Sequence, residues 1–247
     1  MAFFLSRFLT FSRWVKAALI GVALASGFCF GNFSWAIEDS PLDQEYLSAV
    51  KAVHQRHLSP AKLVVLKEGQ VAEVLTWTTD KYEPGPQPAL TQEIWVVDAA
   101  QMKGRCPDLF ASGGDPTERI NQLLGMPPSA PQHFELIKVP VTPYIFVKNK
   151  LKAEIIRPCF SSGDVSRESC HYLGKGAPED SLSPYQQWIK SIDTETGSYP
   201  WTGLGYTYDW SPTNPSHVGL SEFILPVGSQ VVVEKSVTPQ EFCEENH

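Results

Sequence analysis

One spelling recurs four times along this chain and fixes where its helices begin: Ser40-Pro41-Leu42-Asp43, Asp115-Pro116-Thr117-Glu118, Ser183-Pro184-Tyr185-Gln186 and Thr238-Pro239-Gln240-Glu241. In each, a side-chain oxygen is placed to cap the helix. Proline takes the first helical position, where its missing N–H costs nothing, and an acid or amide three residues after the cap can close a capping box. The first helix is predicted from Pro41 to about His57, where Leu42, Tyr46, Val50 and Val53 recur at spacings of four and three and make one apolar stripe. The second should end at Gly125, because Pro127-Pro128 forbids continuation. The third runs from Pro184 towards Asp193, with Trp188 and Ile192 on one face.

Between these starts lie short β-type runs: Leu63–Leu66, Val71–Thr79, Ile94–Val97, Phe134–Val139, Tyr144–Val147, Ala153–Ile156, Leu204–Trp210, Ser221–Leu225 and Gln230–Val233. Turn signals such as Glu68-Gly69, Pro84-Gly85-Pro86 and Pro226-Val227-Gly228 separate them. Strands joined by such turns imply antiparallel hairpins, and no regular alternation of strand and helix is present. The expected fold is α+β, mainly antiparallel sheet with about four Pro-initiated short helices, forming a single globular domain over residues 37–247.

Residues 1–36 read as a signal peptide. Arg7, Arg13 and Lys16 precede an uncharged run from Ala17 to Phe30, and Ser34 and Ala36 put small residues at −3 and −1 of a cleavage after Ala36. The rival reading is an uncleaved anchor, since Ala17 to Ala36 is just long enough to span a bilayer. Membrane contact is expected only through this segment, if it stays uncleaved. Phe28 before Cys29 argues against a lipid-anchor site. The expected location is exported, periplasmic or secreted.

Three of the 20 basic residues and none of the 27 acidic ones fall in that segment, so the remainder carries 17 against 27. So acidic a chain is not expected to bind nucleic acid. The remainder also holds four cysteines, Cys106, Cys159, Cys170 and Cys243, an even count that favours disulfides in an exported protein. Of the three possible connectivities, Cys106 with Cys243 and Cys159 with Cys170 is preferred. A metal site on Cys159, Cys170 and His171 lacks a CxxC pair, and His54 and His57 lack a third ligand. No metal and no cofactor is expected.

Tyr199 to Glu222 stands out in composition. If its centre is extended, Tyr206, Tyr208 and Trp210 share one face, with Thr207 and Asp209 on the other. Such a ladder serves as sheet packing. Partly exposed, it would instead be a stacking platform for a sugar ring or other flat ligand, with Asp209, Ser211, Asn214 and His217 as polar handles. The words PWTGLGYTYDW, GLSEFILP, INQLLGMPP and RPC resemble segments of secreted bacterial proteins to which no activity is attached; the resemblance implies a bacterial, exported protein and nothing about chemistry.

A hairpin in the same region would bring Asp209, His217 and Glu222 together, the minimum set for acid–base hydrolysis or a mononuclear metal. Glu222 to Pro226 followed by Gly228 also resembles the Glu-bearing strand of ADP-ribosylating toxins. The paired Arg and the Ser-Thr-Ser strand of that pattern are missing, and a strand, a turn and a second strand account for these residues. No Gly-rich phosphate loop, HExxH or GxSxG is spelled. The leading expectation is an exported, disulfide-stabilised binding or interaction protein whose aromatic surface meets a small molecule, a glycan or a protein. The alternative is a small extracytoplasmic hydrolase using Asp209, His217 and Glu222.

Overall fold

The computed structural model describes residues 40–55, 58, 61–111, 113, 116–128, 133–142, 145–147, 150–152, 154–159, 187, 189–190 and 199–245. The elements lie in the unit Asp39–His247. They are α1 (Pro41–His54), β1 (Val71–Thr78), β2 (Gly85–Pro86), β3 (Ile94–Asp98), α2 (Ala99–Leu109), α3 (Pro116–Leu124), β4 (His133–Pro140), β5 (Ile145–Val147), β6 (Lys150–Lys152), β7 (Tyr206–Tyr208), β8 (Val218–Leu225), β9 (Val232–Val237) and α4 (Pro239–Glu244). The class is α+β with the antiparallel sheet dominant, as expected.

The helix starts follow their spelling. Ser40 Oγ accepts from the Asp43 amide at 3.2 Å while Asp43 Oδ2 accepts from the Ser40 amide at 3.3 Å, a closed capping box. Thr238 and Glu241 do the same for α4, at 3.2 and 2.8 Å. α3 begins at Pro116 and stops where expected. Gly125, at φ +69°, sends its amide to the Gln122 carbonyl, and the Met126 amide reaches the Asn121 carbonyl at 2.8 Å, the paired bonds of a Schellman ending. Of the helix expected from Pro184, only Gln187, Ile189 and Lys190 are described, and all three are helical. The expected signal peptide lies outside the described residues.

One helix was not spelled. α2 has no proline at its start, because the last residue of β3, Asp98, is its cap and accepts from the Gln101 amide at 2.7 Å. Pro107 sits inside this helix. Two expected strands, Leu63–Leu66 and Ala153–Ile156, are not ladders, although Ile156 bridges to Ile224.

The seven-stranded sheet runs β2-β9-β4-β1-β3-β8-β7, and β5 and β6 form a separate hairpin. The hairpin expectation therefore holds for direction throughout and for neighbours at β5–β6 and β7–β8, but not across the rest of the sheet. β4 pairs with β9, and β3 with β8, across most of the chain. β8 and β9 lie four ladders apart, which a flat sheet would make about 19 Å sideways. Only residues 226–231 join them, and these are bent by a turn in which the Ser229 amide donates to the Pro226 carbonyl. The sheet therefore curls.

Inside the curl lies one core cluster, built on Val74, Val96, Ile137, Val139, Phe223 and Val233 with Leu90 and Ile94 from the β2–β3 region. The opposite face carries Leu75, Trp77, Phe134 and Leu136, and against it pack Met102 of α2, Ile120 and Leu123 of α3, and Phe242 of α4. Each such side chain contributes about 1.5–3 kcal/mol by leaving water. A disulfide between Cys106 and Cys243, with α-carbons 5.6 Å apart, fastens α4 to α2 on this face. Lys103 Nζ adds hydrogen bonds to the carbonyls of Phe242 and Cys243 at 2.7 and 3.0 Å.

Candidate functional site

The aromatic ladder is core. Tyr206, Tyr208 and Trp210 are 2, 4 and 3% exposed, and the residues of the other face, Thr207 and Asp209, are buried as well. Tyr208 and Trp210 pack with Tyr46, Ala49 and Val53 of α1, and the Trp210 and Tyr46 rings meet edge to face at 5.9 Å. The stacking platform is thereby corrected: all three rings are buried, Tyr208 and Trp210 of them against α1. Asn214 is committed too. Its amide nitrogen donates to Asp209 Oδ2 at 2.9 Å and to the Val218 carbonyl at 3.1 Å.

Asp209, His217 and Glu222 do lie on one hairpin, but not at one place. The Asp209 amide bonds the His217 carbonyl near the turn, whereas the Glu222 amide bonds the Gly205 carbonyl at the far end. Glu222 is five positions after His217 along the chain, about 16 Å in extended backbone. Asp209 is fully buried and accepts from Arg119 Nη1 at 2.9 Å, Arg119 Nη2 at 2.7 Å, Asn214 and the Ser211 amide. A carboxylate so engaged has no capacity left for proton transfer to a substrate. His217, at φ +53°, turns Nδ1 to the backbone carbonyl of Asp209 at 2.8 Å, so Nδ1 carries the proton, and its ring stacks on Tyr208. Glu222 accepts from Trp201 Nε1 at 3.1 Å. Burial pushes its carboxyl up to about 8, against the opposing pull of the Trp201 hydrogen bond and of Arg157. The three residues form no common acid–base site.

What these residues build is a joint between distant segments. Thr207 Oγ1 donates to the Leu123 carbonyl at 2.7 Å, the Trp210 amide to the Gln122 carbonyl at 3.1 Å, and Trp210 Nε1 to the Met126 carbonyl at 3.0 Å. The Thr207 bond satisfies a carbonyl in the last turn of α3, the Trp210 amide adds a second donor to the Gln122 carbonyl that Gly125 already caps, and the indole bond fixes the segment just past the helix. Arg157, 1% exposed, donates to the Gly205 carbonyl at 2.9 Å and to that of Val64, and lies over the Phe223 ring at 4.7 Å. A β-carbon on Gly219 would fall 2.2 Å from Thr207 Oγ1 and 2.6 Å from the Leu123 carbonyl. The segments INQLLGMPP, RPC, PWTGLGYTYDW and GLSEFILP thus pack on one another.

An open feature lies elsewhere. The link from β1 to β3 crosses to the far edge of the sheet, adds β2 to β9, and returns; along the way Gln87 and Leu90 bond the carbonyls of Val231 and Ser229. Between its outgoing arm, Asp80–Tyr82, and its returning arm, from Leu90 to Ile94, is a groove of about 350 Å³. Leu90 and Ile94 belong to the core inside the curl, so the groove has an apolar floor. A side-chain hydrogen bond between Tyr82 and Gln92 ties the arms together, and burial followed by the nearby Asp80 charge raises the Tyr82 phenol above its usual range.

Behind the outgoing arm stands Glu135 of β4, fully buried. Its Oε1 accepts from the Tyr82 amide at 3.4 Å and from His133 Nε2 at 3.1 Å. His133 Nε2 also faces the Asp80 carbonyl at 3.1 Å; both neighbours are acceptors, so this nitrogen carries the proton. Glu135 Oε2 has no hydrogen-bond partner among the described residues. Sequence reading passed over Glu135, although a signal was present: it shares a strand face with Ile137 and Val139, where an acid is out of place.

Cys159 is buried and disulfide-bonded, and its expected partner Cys170 lies outside the described residues, as does His171. Among the described residues no three His, Cys, Asp or Glu side chains are placed to hold a metal ion, and no helix is long and apolar enough to cross a membrane. Comparison of the chain with family models, curated proteins and solved structures finds no match.

Proposed function

We propose that this chain is an exported, disulfide-stabilised binding protein, and that its contact site is the groove between Asp80–Tyr82 and Leu90–Ile94. One observation carries the reading: a groove of about 350 Å³, within the range of small-molecule sites, is lined by Tyr82, whose amide donates to Glu135, a fully buried carboxylate that keeps its other oxygen unpartnered. Buried polar atoms left unbonded are rare and cost on the order of 1–3 kcal/mol, so a chain that keeps one next to a groove has a use for it. A groove of this size favours a small molecule over a glycan or a protein surface. The Cys106–Cys243 bridge supports export, since such bonds persist in oxidising compartments.

Two measurements test this. N-terminal sequencing of protein recovered outside the cytosol of an expressing bacterium should begin at Ile37; a full-length membrane-bound product would refute export by cleavage. A fragment screen by amide NMR should place its shifts on residues 80–82 and 90–94. Thr91→Trp, on the exposed rim, should abolish them while leaving the melting temperature unchanged. Shifts confined to other surfaces would remove the groove as the contact site.

A further inference from the structure

Resting on that reading of the groove, we infer that its ligand is a small amphipathic cation, an alkyl or aryl ammonium or guanidinium, whose N–H group bonds Glu135 Oε2. The groove offers two kinds of surface. Leu90 and Ile94 provide an apolar floor for a hydrocarbon body. Glu135 provides an acceptor that no group of the protein fills, and an acceptor without a donor selects a ligand that brings one. The neighbouring imidazole donor is already spent, since His133 Nε2 is shared between Glu135 Oε1 and the Asp80 carbonyl.

Charge points the same way. Asp80 lines the outgoing arm in front of Glu135, and Lys81, the cation of the lining, is solvent-exposed, where water and salt screen its charge. An anion would have to approach a buried carboxylate through low-dielectric surroundings, whereas an ammonium gains a charge-assisted bond there.

Glu135 is covered in the ligand-free chain, so access requires a shift of the Asp80–Tyr82 arm. The arm is held by the Tyr82 amide to Glu135 Oε1 at 3.4 Å, by His133 Nε2 to the Asp80 carbonyl at 3.1 Å and by Tyr82 packed on the core, and the shift has to give these up. A ligand that satisfies Oε2 repays the movement, and Tyr82 then closes over its hydrocarbon body.

The test is a titration of the disulfide-bonded protein with hexylammonium, hexanol and hexanoate, read by amide NMR. Hexylammonium should shift residues 80–82, 90–94 and 133–135 in a saturable way, hexanol should bind about tenfold more weakly, and hexanoate should not bind. Glu135→Gln should weaken hexylammonium about tenfold while leaving hexanol unchanged. If hexanol and hexylammonium bind alike, the cation assignment fails and the groove stands. If none of the three shifts these residues, the assignment fails; whether the groove itself fails is then decided by the fragment screen. Should Glu135→Gln not fold, the comparison of the three probes on the native chain still decides.

Discussion

Arg119 grips Asp209 with both guanidinium prongs, Nη1 to Oδ1 at 2.9 Å and Nη2 to Oδ2 at 2.7 Å, and reaches Asp108 as well. The pair joins α3 to the segment after β7, and Asp209 is wholly out of solvent. Removing one partner leaves the other charge buried and uncompensated, which costs about 3–5 kcal/mol. Arg119→Met should therefore lower the unfolding free energy obtained from urea denaturation by that amount. Asp209→Asn, which keeps the shape but loses acceptor capacity, should cost somewhat less and leave hexylammonium affinity unaltered. A variant that keeps full stability would show the pair to be incidental.

Gly219 faces Thr207 with no room for a side chain, since a β-carbon would lie 2.2 Å from the hydroxyl and 2.5 Å from the Thr207 carbonyl. Two of its three nearest obstacles are backbone and cannot rotate away. Gly219→Ala should cost about 3 kcal/mol, at the upper end for overpacking. Thr207→Ala/Gly219→Ala relieves only the hydroxyl and should recover part of that loss in thermal unfolding.

Glu222 sets a pH dependence whose sign follows from its raised carboxyl, about 8 in the fold against 4.5 when exposed. Between these values the unfolded chain releases a proton that the native one retains. The contribution is fully present below pH 4.5 and is lost as pH rises through about 8. Its size is on the order of a few kcal/mol. Glu222→Gln, which can still accept from Trp201, should flatten the stability profile over this window. An unchanged slope would show that Glu222 is ionised in the native protein.

The Cys106–Cys243 bridge closes a separation of 137 residues, for which chain entropy alone gives about 5 kcal/mol. Cys106→Ser/Cys243→Ser should lose most of that in denaturant. The bridge lies on the helix-bearing face, opposite the interior of the curl, so the surviving folded fraction should bind groove ligands as before.

What was legible in the sequence was local. The capping boxes of α1 and α4 depend on four consecutive residues, and the Gly125 ending on two, so spelling and structure agree there. α2 was hidden because its cap doubles as the end of β3 and because Gly104 and Pro107 weaken its pattern. Strand neighbours were hidden for a different reason. Pairings such as β4 with β9 are set by the curl and the shared core, which no turn signal encodes. The ladder at Tyr206, Tyr208 and Trp210 alternates in sequence, yet alternation does not say what covers a face; α1, more than 150 residues earlier in the chain, covers Tyr208 and Trp210. Glu135 was overlooked because Phe134–Val139 was read for its apolar residues and not for the one acid among them.

The joint at the end of α3 has a consequence for how such a chain can change over time. Leu123 with Thr207 and Gly219, Gly125 with Tyr208, and Arg157 with Gly205 each occupy space or bonds that the partner requires. A replacement in one must be answered in its neighbour across the joint, so in any lineage carrying this fold these positions should drift together or stay fixed, however freely the intervening loops diverge.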